Sequence, residues 1–358
     1  MKQKISKAIA LVIVILYFAF FVYLLQNITD FALILLLAMF LAIPFMVVTH
    51  EAGHLIFGLL TGYKFISFRI FSLMLLRENG KFKIRKHKVP GTAGQCLMAP
   101  PQKKNGRYPY VLYNLGGILV CAVLSFIPMV ISVFFLEYES VAMPLFVFGF
   151  VSFAMNLMNA IPTNGKSMMN DATNLRMANR SGAGKDALWN QLEYMHLHSK
   201  NIRTADMPKT LFFHPEEKDL NNTLVHWQVL ANIERLEDMG DYEKAQAETS
   251  YILEKAPFLP QIYRDLFELE AIYISAVLGN DDERIHASFQ SFDKRPLVKN
   301  TINFARVHWA YLSLCKKDEA AANSARKTYE AKIKKEPYLA SADFERRQMA
   351  QIDALAER

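Results

Sequence analysis

His50 and His54 stand four residues apart in the run Thr49-His50-Glu51-Ala52-Gly53-His54. On a helix that spacing projects both imidazoles from one face, where they can share a metal ion. The carboxylate of Glu51 then lies beside them as a general base. The chemistry such a group supports is metal-assisted hydrolysis, with Zn2+ as the expected ion and water as the nucleophile. A catalytic zinc usually has three protein ligands and an open position, so a third ligand, an acidic residue, must come from elsewhere in the chain.

The element that must carry these residues is a membrane helix. Phe31 to Val48, immediately upstream, holds one proline and no charge. Ionisable groups at such a depth are costly unless they have work to do. A pair of hydrogen-bonded histidines on an interfacial helix is the alternative, and three ionisable residues on one turn are hard to read as packing alone.

The 358 residues are 52% hydrophobic and carry a net charge of +7; the mean hydropathy is +0.10. That is too apolar for an ordinary soluble protein and too charged to be all membrane, which implies two unlike halves. Four apolar stretches precede Pro162: Ala8 to Leu25, Phe31 to Val48 running on toward Leu60, Val111 to Leu136, and Val141 to Ile161. Each is long enough to span the hydrocarbon as a helix. The first follows Lys2, Lys4 and Lys7 but has a long apolar core and no small-residue cleavage site, so it is expected to be a retained anchor.

Charge sets the orientation. The loops Gln26 to Asp30 and Glu137 to Ser140 carry no Lys or Arg, whereas Lys64, Arg69, Arg77, Lys81, Lys83, Arg85, Lys86, Lys88, Lys103, Lys104 and Arg107 fall on the other side. The positive-inside rule therefore makes both termini cytoplasmic, in a multi-pass protein of the cytoplasmic membrane. The basic balance follows from topology and anionic headgroups, and nucleic acid is not an expected partner. Cys96, Cys121 and Cys315 are widely and irregularly spaced, which implies neither a disulfide framework nor a cysteine zinc motif.

Asp171 is the first acid after the fourth apolar stretch, and Pro162-Thr163-Asn164-Gly165 before it would end the helix and turn the chain back. The alternative is that it caps a helix beginning near Ala172. At these residues the chain resembles the site-2 protease family of intramembrane zinc metalloproteases, whose core pairs a membrane His-Glu-x-x-His helix with a later Asn-x-x-Pro and Asp-Gly segment. His50, Glu51 and His54 match the first element; Asn159, Pro162 and Asp171 match the second. Nine positions separate Pro162 from Asp171, and Ala172 stands where the family has Gly. The resemblance implies that His50, His54 and Asp171 hold Zn2+, that Glu51 is base and then acid, and that Asn159 helps bind the substrate strand. Asn114-Leu115-Gly116-Gly117 is similar to the family's third core helix, which makes Asn114 a second candidate for substrate binding. Both asparagines could instead be interhelical hydrogen-bond glue.

Asn79-Gly80, followed by Phe82-Lys83-Ile84-Arg85, predicts a short hairpin at the membrane surface. By resemblance such a sheet offers its edge to an unwound substrate. Gly91 to Pro101 reads as a turn-rich lead into the third span and as a candidate part of the cavity rim.

Beyond Asn174 amphipathic helix patterns take over: Ala187 to His198, Asn222 to Met239, Tyr242 to Lys255, Pro260 to Leu278, Asp281 to Ser291, Val298 to Cys315 and Glu319 to Lys335. Gly240-Asp241-Tyr242-Glu243-Lys244-Ala245 resembles the second helix of a tetratricopeptide repeat, and similar turns recur at Gly279 and Lys317. Tyr251, Phe258, Tyr263, Phe267 and Tyr273 read as hairpin core, Glu345 to Arg347 as a solvated face, and His196, His198 and His214 as ordinary histidines. Stacked hairpins often present a groove to a protein partner.

The expected fold is thus mainly α: a polytopic membrane helix bundle with a surface β-hairpin over residues 1–180, followed by a soluble all-α helical-hairpin domain over residues 181–358. The expected function is that of a zinc endopeptidase cutting peptide bonds in or near transmembrane segments or signal-peptide remnants of membrane substrates, a role the resemblance places in bacteria. The alternative is a non-catalytic membrane scaffold with a vestigial metal site, whose repeats recruit a partner. An intact Glu51 speaks against it, because a structural site needs no base.

Overall fold

The computed structural model describes residues 30–357 except 79, 90, 164–168, 281–282 and 293–294. The expected first span Ala8 to Leu25, Asn79 of the hairpin turn, and Asn164 and Gly165 of the break lie outside the described residues.

Among the described residues three helices are long and apolar enough to cross a membrane: α1 (Asp30–Leu60), α2 (Tyr110–Val133) and α3 (Glu139–Ala160). Their outer faces expose large apolar side chains, such as Phe40 at 70% and Val123 at 63%. Water would penalise that surface, whereas lipid solvates it. The chain thus has the helices of a multi-pass membrane protein. Proline lies inside each span, at Pro44, Pro128 and Pro144, as membrane helices permit.

The chain divides into two compact units. The first comprises Met1–Met46 with Cys121–Asn156. Within it small residues let helices approach: Ala42 and Ser152 are fully buried, and the Ser152 hydroxyl donates to its own Phe148 carbonyl (2.8 Å) and to that of Ala42 (3.3 Å).

The second unit comprises Val47–Val120 with Leu157–Arg358. It contains a four-stranded antiparallel sheet, β1 (Lys64–Ile70), β2 (Leu73–Glu78), β3 (Lys81–Lys86) and β4 (Gly94–Ala99), in the order β3-β2-β1-β4. The expected hairpin is β2–β3, with Glu78 opposite Lys81 around Gly80 at φ 79°. The sheet is wider than the sequence suggests, for two reasons. Phe71 takes a left-handed conformation (φ 51°) and turns β1 into β2 without Gly, Asn or Pro at that position. The turn-rich lead closes into a strand, β4, paired with β1.

The remaining elements are helices: α4 (Asp171–Arg180), α5 (Gly182–Ser199), α6 (Thr223–Met239), α7 (Tyr242–Lys255), α8 (Gln261–Val277), α9 (Glu283–Ser291), α10 (Pro296–Lys299), α11 (Ile302–Ala310), α12 (Glu319–Ile333) and α13 (Leu339–Ala356). Neighbours pack as antiparallel hairpins, α6 on α7, α7 on α8, and α11 on α12. The recurring turn has one physical basis. Gly240 (φ 77°) ends α6, and the side chain of Asp241 caps α7 by accepting from the Lys244 N–H; Lys317 (φ 52°) and Asp318 do the same before α12.

Three expectations need correction. Val298 to Cys315 is not one helix: Thr301 caps a new start at Ile302 by accepting from the Phe304 N–H, and Tyr311–Lys316 widens into a π-turn. Phe258 is 46% exposed, unlike the buried Phe267 and Tyr273. Glu345 and Arg347 do not lie on a solvated face: Glu345 is buried, and Arg347 Nε donates to Asp238 Oδ1 at 2.7 Å.

Candidate metal centre

The centre is built where α1 crosses α2. Gly53 and Gly116 meet backbone to backbone, and a methyl on Gly116 would lie 2.6 Å from the Gly53 carbonyl oxygen. Only glycine allows that approach. One residue on, a methyl at Gly117 would lie 2.6 Å from His54 Nε2 and 2.8 Å from His50 Nε2. Gly117 therefore gives both imidazoles their space.

His50 and His54 are buried, and their Nε2 atoms lie 3.2 Å apart. His54 Nδ1 is 2.8 Å from the Tyr113 carbonyl oxygen. Donation to that carbonyl fixes the tautomer and leaves the Nε2 lone pair facing its partners. Asp171 Oδ2 completes the group, 2.8 Å from His50 Nε2 and 3.3 Å from His54 Nε2. Ligand atoms on a tetrahedral zinc are about 3.3 Å apart, given metal–ligand distances of roughly 2.0–2.2 Å. The three residues thus form a cluster able to coordinate a divalent metal ion, and among the described residues no other His, Cys, Asp or Glu group converges in this way.

Asp171 reaches the site despite its distance from Pro162 because of its neighbour. Asn170 caps α4, its Oδ1 accepting from the Thr173 N–H at 3.0 Å, while its Nδ2 donates to the carbonyls of Met158 and Ile161, both at 2.7 Å. Thr173 adds a bond from the Thr163 N–H at 2.8 Å. These contacts clamp the start of α4 onto the end of α3. The cap is therefore Asn170, which leaves Asp171 in the first turn with its carboxylate turned to the histidines. Burial works to raise that carboxyl, but His54 and His50 outweigh it and hold Asp171 below the usual carboxylate range.

Glu51, also buried, sits on the other side, toward β4. The Cys96 N–H donates to its carboxylate, and a methyl on Gly94 would lie 2.5 Å from Glu51 Oε1. The start of β4 is itself pinned by Arg69, whose guanidinium donates to the carbonyls of Phe71 (2.7 Å) and Gly94 (3.1 Å). Arg69 is almost wholly buried, so it is a part of the site's scaffold as well as one of the basic residues between the spans.

The two candidate substrate residues are placed differently. Asn114 is buried, and its Nδ2 donates to the Tyr110 carbonyl of its own helix at 2.7 Å. Asn159 lies half-buried in the last turn of α3. The residues that sequence reasoning overlooked are Asn170, Gly94, Tyr113 and Arg69. Only Asn170 carried a local signal, as an N-cap residue directly before the acid.

Compared with protein-family models, with curated proteins and with solved structures, the chain finds no match. The likeness to intramembrane metalloproteases rests on these residues and their arrangement: a bundle of membrane helices holding a buried His-His-Asp cluster.

Proposed function

We propose that the chain is an intramembrane zinc metalloendopeptidase. The observation that carries this reading is the convergence of His50, His54 and Asp171 at the end of an apolar helix, with Glu51 beside them. In it His50, His54 and Asp171 hold the ion, and the mixed imidazole and carboxylate donors suit zinc. Bound there, Zn2+ would polarise the scissile carbonyl and acidify water. Glu51 accepts the proton of the attacking water and returns it to the amine nitrogen as the C–N bond breaks. The Cys96 N–H holds the Glu51 carboxylate in place for both transfers.

Substrate follows from the surroundings. Among the described residues β4 pairs with one strand, β1; its start at Gly94 lies against Glu51, and the Cys96 backbone further along is already bonded to Glu51 and to the Tyr113 hydroxyl. An extended peptide added along that edge would present its carbonyls to the site, which a helical peptide cannot do because its own hydrogen bonds shield them. Asn159, at the mouth of α3, contacts that strand in this reading, and Asn114 supports the turn carrying Tyr113. The substrates are membrane proteins or signal-peptide remnants in a bacterial cytoplasmic membrane. Both termini face the cytoplasm, and the helical hairpins recruit a protein partner.

The test is a comparison of membrane proteomes from cells carrying the wild-type chain or Glu51→Ala. A full-length membrane substrate should accumulate, and co-purify, with Glu51→Ala alone. Identical terminal peptides in both membranes would refute the proposal.

A further inference from the structure

Away from the metal centre, the helical hairpins enclose a cavity of about 350 Å3 lined by residues of α5, α6, α8, α11 and α13. Five carboxyl groups line it, those of Glu234, Glu237, Glu270, Glu336 and Glu345, against a single guanidinium, that of Arg306. Arg306 is almost wholly buried, and only its Nη2 makes hydrogen bonds, while Nε and Nη1 have no acceptor. Its Nη2 donates to both oxygens of Glu270 at 2.8 Å, and its plane lies over Tyr273 (4.7 Å) and Phe344 (5.3 Å). Its Nη1 is 3.7 Å from Glu237 and 3.7 Å from Glu345, too far for a hydrogen bond to either.

Glu237 faces only the charge of Arg306 Nη1, with no hydrogen bond to it. It is 3% exposed, and neither of its carboxylate oxygens has a hydrogen-bond partner. A buried carboxylate without donors is costly, and proteins retain one where a partner supplies both donors and charge. Around it the wall is aromatic, with Trp227 and Tyr194 lining the same cavity. Acidic groups backed by aromatic faces are the chemistry that recognises organic cations. A divalent metal fits less well, because no three of these carboxylates bring their oxygens within 4.8 Å of one another.

We propose that this cavity is a binding site for an organic cation, a guanidinium or alkylammonium group whose N–H donors pair with Glu237 and Glu234 while its carbon stem lies against Trp227. A basic side chain of a peptide and a free polyamine share this chemistry. Burial raises the carboxyl of Glu237 well above its ordinary value and those of Glu234 and Glu336 to about 7, so protons occupy the site until such a cation displaces them. The site lies in a different part of the chain from the metal centre and does not depend on proteolysis.

The experiment is calorimetric titration of the full chain in detergent micelles with N-acetylarginine amide, spermidine and an arginine-containing heptapeptide. The citrulline form of the amide and Mg2+ serve as comparisons. Binding of one cationic probe per chain, at least about tenfold tighter than the citrulline form, supports the proposal. Tightest binding of the peptide assigns a peptide side chain as the source, and tightest binding of spermidine assigns a free polyamine. Glu237→Gln, which keeps the shape and removes the charge, should weaken binding about tenfold or more, as should Glu234→Gln at the partly exposed side of the cavity. Absence of binding by every cationic probe overturns the proposal. So does wild-type affinity in a folded Glu237→Gln chain or, should that chain not fold, in Glu234→Gln. Equal binding of the citrulline form, or displacement of the probe by low millimolar Mg2+, overturns it as well.

Discussion

Replacing Gly117 with alanine adds one methyl group and replaces no residue that does chemistry, yet it should disable the metal centre. The new carbon would lie 2.6 Å from His54 Nε2 and 2.8 Å from both Cε1 and Nε2 of His50. A comfortable contact is about 3.5 Å, so the rings must retreat by roughly 0.7–0.9 Å. His54 has little room to do so, because its Nδ1 is tied to the Tyr113 carbonyl. Metal coordination tolerates about 0.2 Å, and a misplacement of about 1 Å in a catalytic group costs on the order of 100-fold in rate. Gly117→Ala should therefore bind zinc at least about tenfold more weakly and cleave a membrane substrate about 100-fold more slowly. Its helix content and membrane insertion should be unchanged. Zinc competition against a chromophoric chelator and a gel-based cleavage assay on purified protein read the two effects. Zinc affinity and cleavage within twofold of wild type would refute the account of how α1 and α2 shape the site.

The same geometry separates base from metal at Gly94. A methyl there would crowd Glu51 Oε1 at 2.5 Å and leave the histidines alone, so Gly94→Ala should keep its zinc and lose most of its cleavage rate; joint loss of both would argue against a separate role for Glu51. Asn170→Ala removes the cap of α4 and its two bonds to α3, with a cost of about 1–2 kcal/mol in chemical denaturation and about tenfold in zinc affinity. Arg306→Met strands buried Glu237, Glu270 and Glu345 and should destabilise the chain by roughly 3–5 kcal/mol, read as a fall in the urea midpoint. Burial raises Glu234 and Glu336 from an ordinary value of 4.5 to about 7, so between those values the folded chain holds protons that the unfolded chain has released. Their contribution to stability is complete below that window and is lost as pH rises through it. The urea midpoint of wild type should therefore fall more from pH 5.5 to pH 8 than that of the Glu234→Gln, Glu336→Gln double variant, and an equal or smaller fall would contradict the assignment.

What the sequence made legible follows from the range of each interaction. The pairing of His50 with His54 is a property of helical periodicity and needs no tertiary information. Asp171 could be singled out by order, as the first acid after the last apolar stretch, and by the resemblance it completes with Asn159 and Pro162. Its approach depends on Asn170 reaching back to Met158 and Ile161, bonds that no spacing rule encodes. The contact of Gly94 with Glu51 was not readable at all, since it needs the register of β4 on β1. The β1–β2 pairing was hidden because the left-handed position of its turn is Phe71, where Gly or Asn usually marks such a turn. The burial of the helix face at Glu345 to Arg347 was hidden for an electrostatic reason: Glu345 and Arg347 look solvent-directed until Arg306 and Asp238 are found opposite them. By contrast, the hairpin turns at Gly240-Asp241 and Lys317-Asp318 were legible because a left-handed stop and an aspartate cap are local devices.

The central claim is that His50, His54 and Asp171 together hold one metal ion. The most direct measurement is the metal content, by mass spectrometry, of purified wild-type chain and of Asp171→Asn after equilibration at a fixed, buffered free zinc concentration. The expected result is a single zinc ion per wild-type chain and loss of that ion in Asp171→Asn, with both chains folded. A metal-free wild type, or an Asp171→Asn chain that keeps its zinc, would contradict the claim.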